Sequence, residues 1–96
     1  MSRPNDTSDV KDLLRSRIES LAKDLCPDGH RAGGYWIARC PWRDDQRPGS
    51  FWVMLSPYPG AWRDEATGEK GDVLNLIEKV KGLAFGDAMK WARDWL

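Results

Sequence analysis

Three short aromatic-rich runs, separated by turn residues and delivered into a helix start, fill residues 35–72 and constrain most of what this chain can fold into. They read Tyr35-Trp36-Ile37-Ala38-Arg39-Cys40, Ser50-Phe51-Trp52-Val53-Met54-Leu55 and Ala61-Trp62-Arg63-Asp64. Successive side chains of a strand point to opposite faces. Tyr35, Ile37 and Arg39 therefore share one face of the first run, with Trp36, Ala38 and Cys40 on the other. In the second run Phe51, Val53 and Leu55 lie together, with Trp52 and Met54 opposite. Polar, turn-rich residues 41–49 make the first connection, and Pro57, Pro59 and Gly60 the second. The pattern predicts a small antiparallel sheet of three strands. His30 to Gly34 and the stretch from Glu65 to Gly71 are expected as loops.

Helical periodicity flanks the sheet. Val10, Leu13, Leu14, Ile18, Leu21, Ala22 and Leu25 recur at three and four residues, predicting one amphipathic helix of about four turns. Ser8 stands as its N-cap, and Pro27 with Asp28-Gly29 ends it. Asp72 is placed to cap a second helix through Val73, Leu74, Leu76, Ile77 and Val80, which stops at Gly82. A third runs from Phe85 to Leu96, with Phe85, Ala88, Met89, Ala92 and Trp95 on one stripe. The expected fold class is α+β, with one N-terminal helix, a three-stranded sheet and two C-terminal helices. Residues 1–7 are expected to be a flexible lead and 8–96 a single domain.

Composition narrows the function. Fifteen basic and fifteen acidic residues cancel, so no global field drives the chain onto nucleic acid or membrane, and any polyanion site must be local. Two cysteines are too few for a disulfide framework, and no apolar run is long enough to span a bilayer. A cytoplasmic protein with reduced thiols is the expectation. Ninety-six residues bury a core only just large enough to stand without a staple.

The order of these pieces resembles the N-terminal zinc-ribbon domain of bacterial DnaG-type DNA primases, a domain also found in phage and plasmid primases. Cys40-Pro41-Trp42-Arg43 looks like its first knuckle and Pro48-Gly49-Ser50-Phe51-Trp52-Val53 like its middle strand. Trp62-Arg63-Asp64-Glu65-Ala66-Thr67-Gly68 is similar to the second knuckle. Gly71-Asp72-Val73 matches the helix start, and Gly82-Leu83-Ala84-Phe85-Gly86-Asp87-Ala88 the last helix. The resemblance covers nearly all of the chain after residue 8. It places the family's four zinc ligands on Cys40, Arg43, Asp64 and Thr67, where only the cysteine is kept. Zinc takes about four nitrogen, thiolate or carboxylate ligands, and a guanidinium is not one of them. The expectation is a degenerate ribbon with no zinc and no other cofactor, in which Arg43 and Asp64 form an ion pair between the knuckles while Trp42 and Trp62 pack around it. Cys26, His30 and Cys40 are the remaining residues of suitable ligand type.

Primase catalysis in that family resides in a separate metal-dependent polymerase domain, which these 96 residues are not expected to contain. No catalytic motif stands in the chain itself, so an accessory without chemistry is expected. The resemblance implies a role in DNA replication, plausibly of a mobile element, with single-stranded DNA template as a partner. The residues nominated for DNA are Arg39 and Trp52 first, then Arg31, Arg47, Arg63, Lys70 and Trp36. Basic groups beside exposed aromatics suit a single strand, because phosphates and base faces are met together. The same neutral, tryptophan-rich surface also suits an interaction module docking on a polymerase, primase or helicase without touching DNA.

Overall fold

The computed structural model describes residues 6–43 and 49–96. Its elements are α1 (Thr7–Ser16), α2 (Ile18–Leu25), β1 (His30–Ala32), β2 (Tyr35–Ala38), β3 (Phe51–Met54), β4 (Trp62–Asp64), β5 (Glu69–Gly71), α3 (Val73–Lys81) and α4 (Phe85–Trp95). The strands form one open antiparallel sheet in the order β1-β2-β3-β4-β5. The expected three strands are thus five among the described residues, and the expected three helices are four.

Both added strands are edges. β1 folds back on β2 through the two-residue turn Gly33-Gly34, with Ala32 opposite Tyr35 and Gly33 at φ 61°. Only glycine adopts that conformation without cost, and a two-residue glycine turn between extended runs is a hairpin signal. β5 returns along β4 after residues 65–68, with Asp64 opposite Glu69. Neither edge carries an apolar alternation, because none of its residues is buried, so periodicity alone reads both as loops.

The N-terminal helix is broken at Arg17, whose φ of −122° and ψ of 29° leave the helical region. The apolar period runs unbroken through this position, so the kink is a tertiary effect. The Arg17 guanidinium lies 4.7 Å from the centre of the Trp95 ring and donates to the Leu96 carbonyl at 3.5 Å. The cap also shifts: Asp6 accepts from the Ser8 backbone N–H at 2.9 Å, so Asp6 and not Ser8 is the N-cap. Leu13, placed on the buried stripe by spacing, is 43% exposed. The C-terminal helices follow the sequence closely. Asp72 accepts from the Asn75 N–H at 2.9 Å, and Gly82 ends α3 in the left-handed conformation.

One side of the sheet closes the core. Trp36 and Ala38 of β2, Phe51 and Val53 of β3, and Trp62 of β4 are buried with Val10, Leu14, Leu21, Leu76 and Ile77 of the helices. Trp36 donates its indole N–H to the Cys26 carbonyl at 3.0 Å, and Trp62 donates to that of Asp72 at 3.0 Å. Both indoles are therefore buried with their polar edge satisfied, as a low-dielectric core requires. No helix among the described residues is long and apolar enough to cross a membrane.

Candidate functional site

Two features stand out: the paired turns at one end of the sheet, and the sheet face turned away from the helices.

At the paired turns, Asp64 is wholly buried and Arg43 meets it squarely. Arg43 Nε donates to Asp64 Oδ2 and Nη2 to Oδ1, both at 2.9 Å. The Ala66 backbone N–H adds a third donor at 3.1 Å. The Cys40 thiol also donates to this carboxylate. Burial pushes the Asp64 carboxyl upward, but the Arg43 hydrogen bonds, the Ala66 N–H, the guanidinium charge and Cys40 outweigh it, holding it below the usual carboxylate range. Each turn is closed on its own backbone, Arg43 N–H to the Cys40 carbonyl at 3.4 Å and Gly68 N–H to that of Asp64 at 2.7 Å. The expected ion pair is therefore present, and its geometry is the two-point fork that makes arginine–carboxylate contacts strong.

Trp42, Trp62 and Phe51 pack on one another. Trp42 stands edge-on to Trp62, ring centres 5.2 Å apart, and edge-on to Phe51 at 5.3 Å. Lys79 of α3 lies 5.3 Å from the Trp42 ring centre and 2.6 Å from Glu69 Oε2. Thr67, the fourth position, turns its hydroxyl toward Glu69.

The residues at these four positions do not fit a zinc ion. Arg43 offers no lone pair, and its two N–H groups occupy both oxygens of Asp64. Among the described residues no group of three histidine, cysteine, aspartate or glutamate side chains is placed to hold a metal. Cys26 and Cys40 are both buried, and neither is in a disulfide. Burial, with Asp28 and Cys40 nearby, pushes the Cys26 thiol up to about 12, and burial raises that of Cys40 as well. A thiol held in its protonated form is a poor ligand and a poor nucleophile.

On the open sheet face, strand register builds a row across all five strands. His30 pairs with Ile37, Ile37 with Trp52, Trp52 with Arg63, and Arg63 with Lys70. These residues alternate with the buried ones of β2, β3 and β4, so the row faces outward. Tyr35, 38% exposed, stands edge-on to Trp52 with ring centres 5.2 Å apart. A cavity of about 450 Å³ lies beside Trp52, lined by Ala61, Arg63, Lys70 and Gly71.

The nominated residues are divided by this geometry. Trp52, Arg63 and Lys70 come together on the open face. Arg39 is exposed just past β2, in an ion pair with Asp28 at 2.9 Å. Arg31 pairs instead with Glu19 of α2 at 2.8 Å, in register with Trp36 rather than with the outward row. Trp36 belongs to the core, 5% exposed, and offers no face for stacking. Arg47 lies outside the described residues, as does Pro48 of the middle-strand motif.

Sequence reasoning missed Glu65. Its Oε1 accepts from the Trp52 indole N–H at 3.1 Å and its Oε2 from Arg63 Nε at 3.1 Å. No local spacing signals this, because Trp52 and Glu65 meet only through the β3–β4 pairing. Tyr58 was also missed. It is 72% exposed in the turn before β4, and a lone aromatic between two prolines was its only sign.

Neither protein-family models nor curated protein sequences match this chain. Among solved structures, the chain resembles the Aquifex aeolicus primase, whose crystal structure comprises zinc-binding and RNA polymerase domains. The likeness covers 99% of this chain and 22% of that one, at a TM-score of 0.69 and 20% sequence identity. The matched part is the zinc-binding domain, and the RNA polymerase domain of that protein lies outside the match. At that identity the likeness is one of fold, and the fold is like that of the zinc-binding domain of that primase.

Proposed function

We propose that this domain is a metal-free, non-catalytic accessory of DNA priming that holds single-stranded DNA against its open sheet face. The outward row of Trp52, Arg63 and Lys70 carries the reading. A base can stack on the indole while the two adjacent cations meet neighbouring phosphates, and stacking tolerates any sequence because every base has a flat face. The fold likeness to a primase zinc-binding domain supports the replication context. The bidentate Arg43–Asp64 contact supports the metal-free part, since it links in one step the two turns that a metal ion would have joined.

The test is direct. Anisotropy of a dye-labelled oligothymidylate should rise on adding the protein. The logarithm of affinity should fall with that of salt at a slope of about −1.4 for two phosphate contacts. Trp52→Ala should weaken binding roughly 5- to 100-fold. No binding at low salt, or binding indifferent to Trp52, removes the DNA reading.

A second reading is favoured by one observation. Arg31, Arg39 and Arg63 are each already paired with an acidic residue. A surface so neutralised suits docking on a replication enzyme, where arginine and tryptophan concentrate binding energy. Salt-insensitive capture of a polymerase, primase or helicase, with no oligonucleotide binding, would select it.

A further inference from the structure

The cavity beside Trp52 has a neighbour. A second cavity, about 360 Å³, is formed between the turn preceding β4 and the start of α3, with Tyr58, Pro59, Arg15, Val73 and Asp72 in its wall, the Asp72 carboxylate being paired with Lys11 at 2.8 Å. It shares Ala61 and Gly71 with the cavity beside Trp52, so the two are neighbours across small side chains. Gly71 is held to its size by packing, because a Cβ there would collide with the Asn75 side chain.

Tyr58 is the most exposed large hydrophobic side chain among the described residues, at 72%, yet its turn is fixed. The Ala61 N–H donates to the Tyr58 carbonyl at 3.3 Å, and the Gly60 N–H to that of Met54 at 2.9 Å. Gly60 is buried at φ 94°, where a Cβ would press on Val73, so the turn is seated against α3. An aromatic ring held out in water by a rigid turn loses little conformational freedom on receiving a flat ligand. Arg15 of α1 supplies a cation in the same wall, in an ion pair with Asp12 at 3.0 Å.

From these features we infer that Tyr58 and Arg15 form a second nucleotide subsite, which takes a base and its phosphate from the same single strand after it has crossed Trp52. The inference rests on the DNA reading above and extends it from one stacking position to a path. The ligand class follows from the pairing of an exposed ring with a cation, repeated on both sides of the Ala61–Gly71 saddle.

The experiment compares Tyr58→Ala, Tyr58→Phe and Trp52→Ala on oligothymidylates of three and eight nucleotides, by anisotropy at low salt. Expected is a Tyr58→Ala variant with unaltered thermal stability and unaltered affinity for the trimer. Its affinity for the octamer should fall roughly 5- to 100-fold, while Tyr58→Phe binds the octamer like the parent. Equal affinity of Tyr58→Ala and parent for the octamer, with Trp52→Ala impaired on both lengths, overturns the second subsite and leaves the first standing. Weakening of Tyr58→Ala on both lengths alike overturns it too, since the residue would then serve the first position. Full binding by Trp52→Ala on both lengths overturns the parent reading and this one with it.

Discussion

The Arg43 guanidinium meets both carboxylate oxygens of Asp64 at 2.9 Å, joining two turns that stand 21 residues apart in sequence. Asp64 is fully buried while the Arg43 side chain keeps 30% of its exposure, so the pair sits at the lip of the core. Removing one partner leaves the other without its counter-charge, and a buried unpaired carboxylate is costly. Arg43→Met should destabilise the domain by about 3 kcal/mol, near the lower end for such pairs because the arginine is partly solvated. Urea unfolding of Arg43→Met, Asp64→Asn and the double variant should show a coupling above about 1 kcal/mol. Additive losses would mean that the contact stabilises nothing.

Acid should reveal the same contact. The folded Asp64 carboxyl is depressed below its unfolded value, so its contribution is full above the unfolded pKa of about 3.9. That contribution is lost as pH falls through the folded value. Asp72, where burial opposes but the Lys11 hydrogen bond and the Asn75 N–H prevail, and Glu69, held down first by Lys79, shift in the same direction. Stability of the parent should therefore decline as pH falls below about 4. Asp64→Asn should lose part of that slope while being weaker at neutral pH. Identical slopes in thermal unfolding between pH 2 and 5 would contradict the assignment.

The tryptophans should divide into two groups. Trp62, 2% exposed and packed on Trp42 and Phe51, is part of the core. Trp62→Ala should cost about 3–5 kcal/mol. Trp52→Ala, on the open face, should cost less than about 1 kcal/mol while weakening oligonucleotide binding roughly 5- to 100-fold. Equal destabilisation by the two would place Trp52 in the core.

Glu65 occupies with its own carboxylate the two donors that a phosphate would use, the Trp52 indole N–H and Arg63 Nε. Glu65→Gln should raise affinity for single-stranded DNA several-fold and steepen its salt dependence by about one phosphate contact, a slope change near 0.7. Anisotropy titrations between 20 and about 200 mM salt would show it. Unchanged affinity would mean that Glu65 is no competitor.

Sequence reasoning reached some of these relationships and not others, for physical reasons. The Arg43–Asp64 contact was legible because complementary charges fell on positions that the resemblance brings together. The two faces of β2 and β3 were legible as alternations, but alternation does not say which face the helices cover. Trp36 and Trp52 are consequently indistinguishable by pattern, though one is core and the other surface. The Arg17 break depends on Trp95 and Leu96, far away in the chain, and leaves no mark on the local period. β1 and β5 carry too few apolar side chains to announce themselves, although Gly33-Gly34 between β1 and the next run is a hairpin signal. Glu65 became visible only once β3 and β4 were paired.

Metal content decides the central claim most directly. Elemental analysis of the purified chain, paired with thermal unfolding before and after a strong chelator, should find no stoichiometric zinc and no change in Tm. About one zinc per chain, with a Tm that collapses when the metal is stripped, would show that a cation and not Arg43 with Asp64 holds the two turns together.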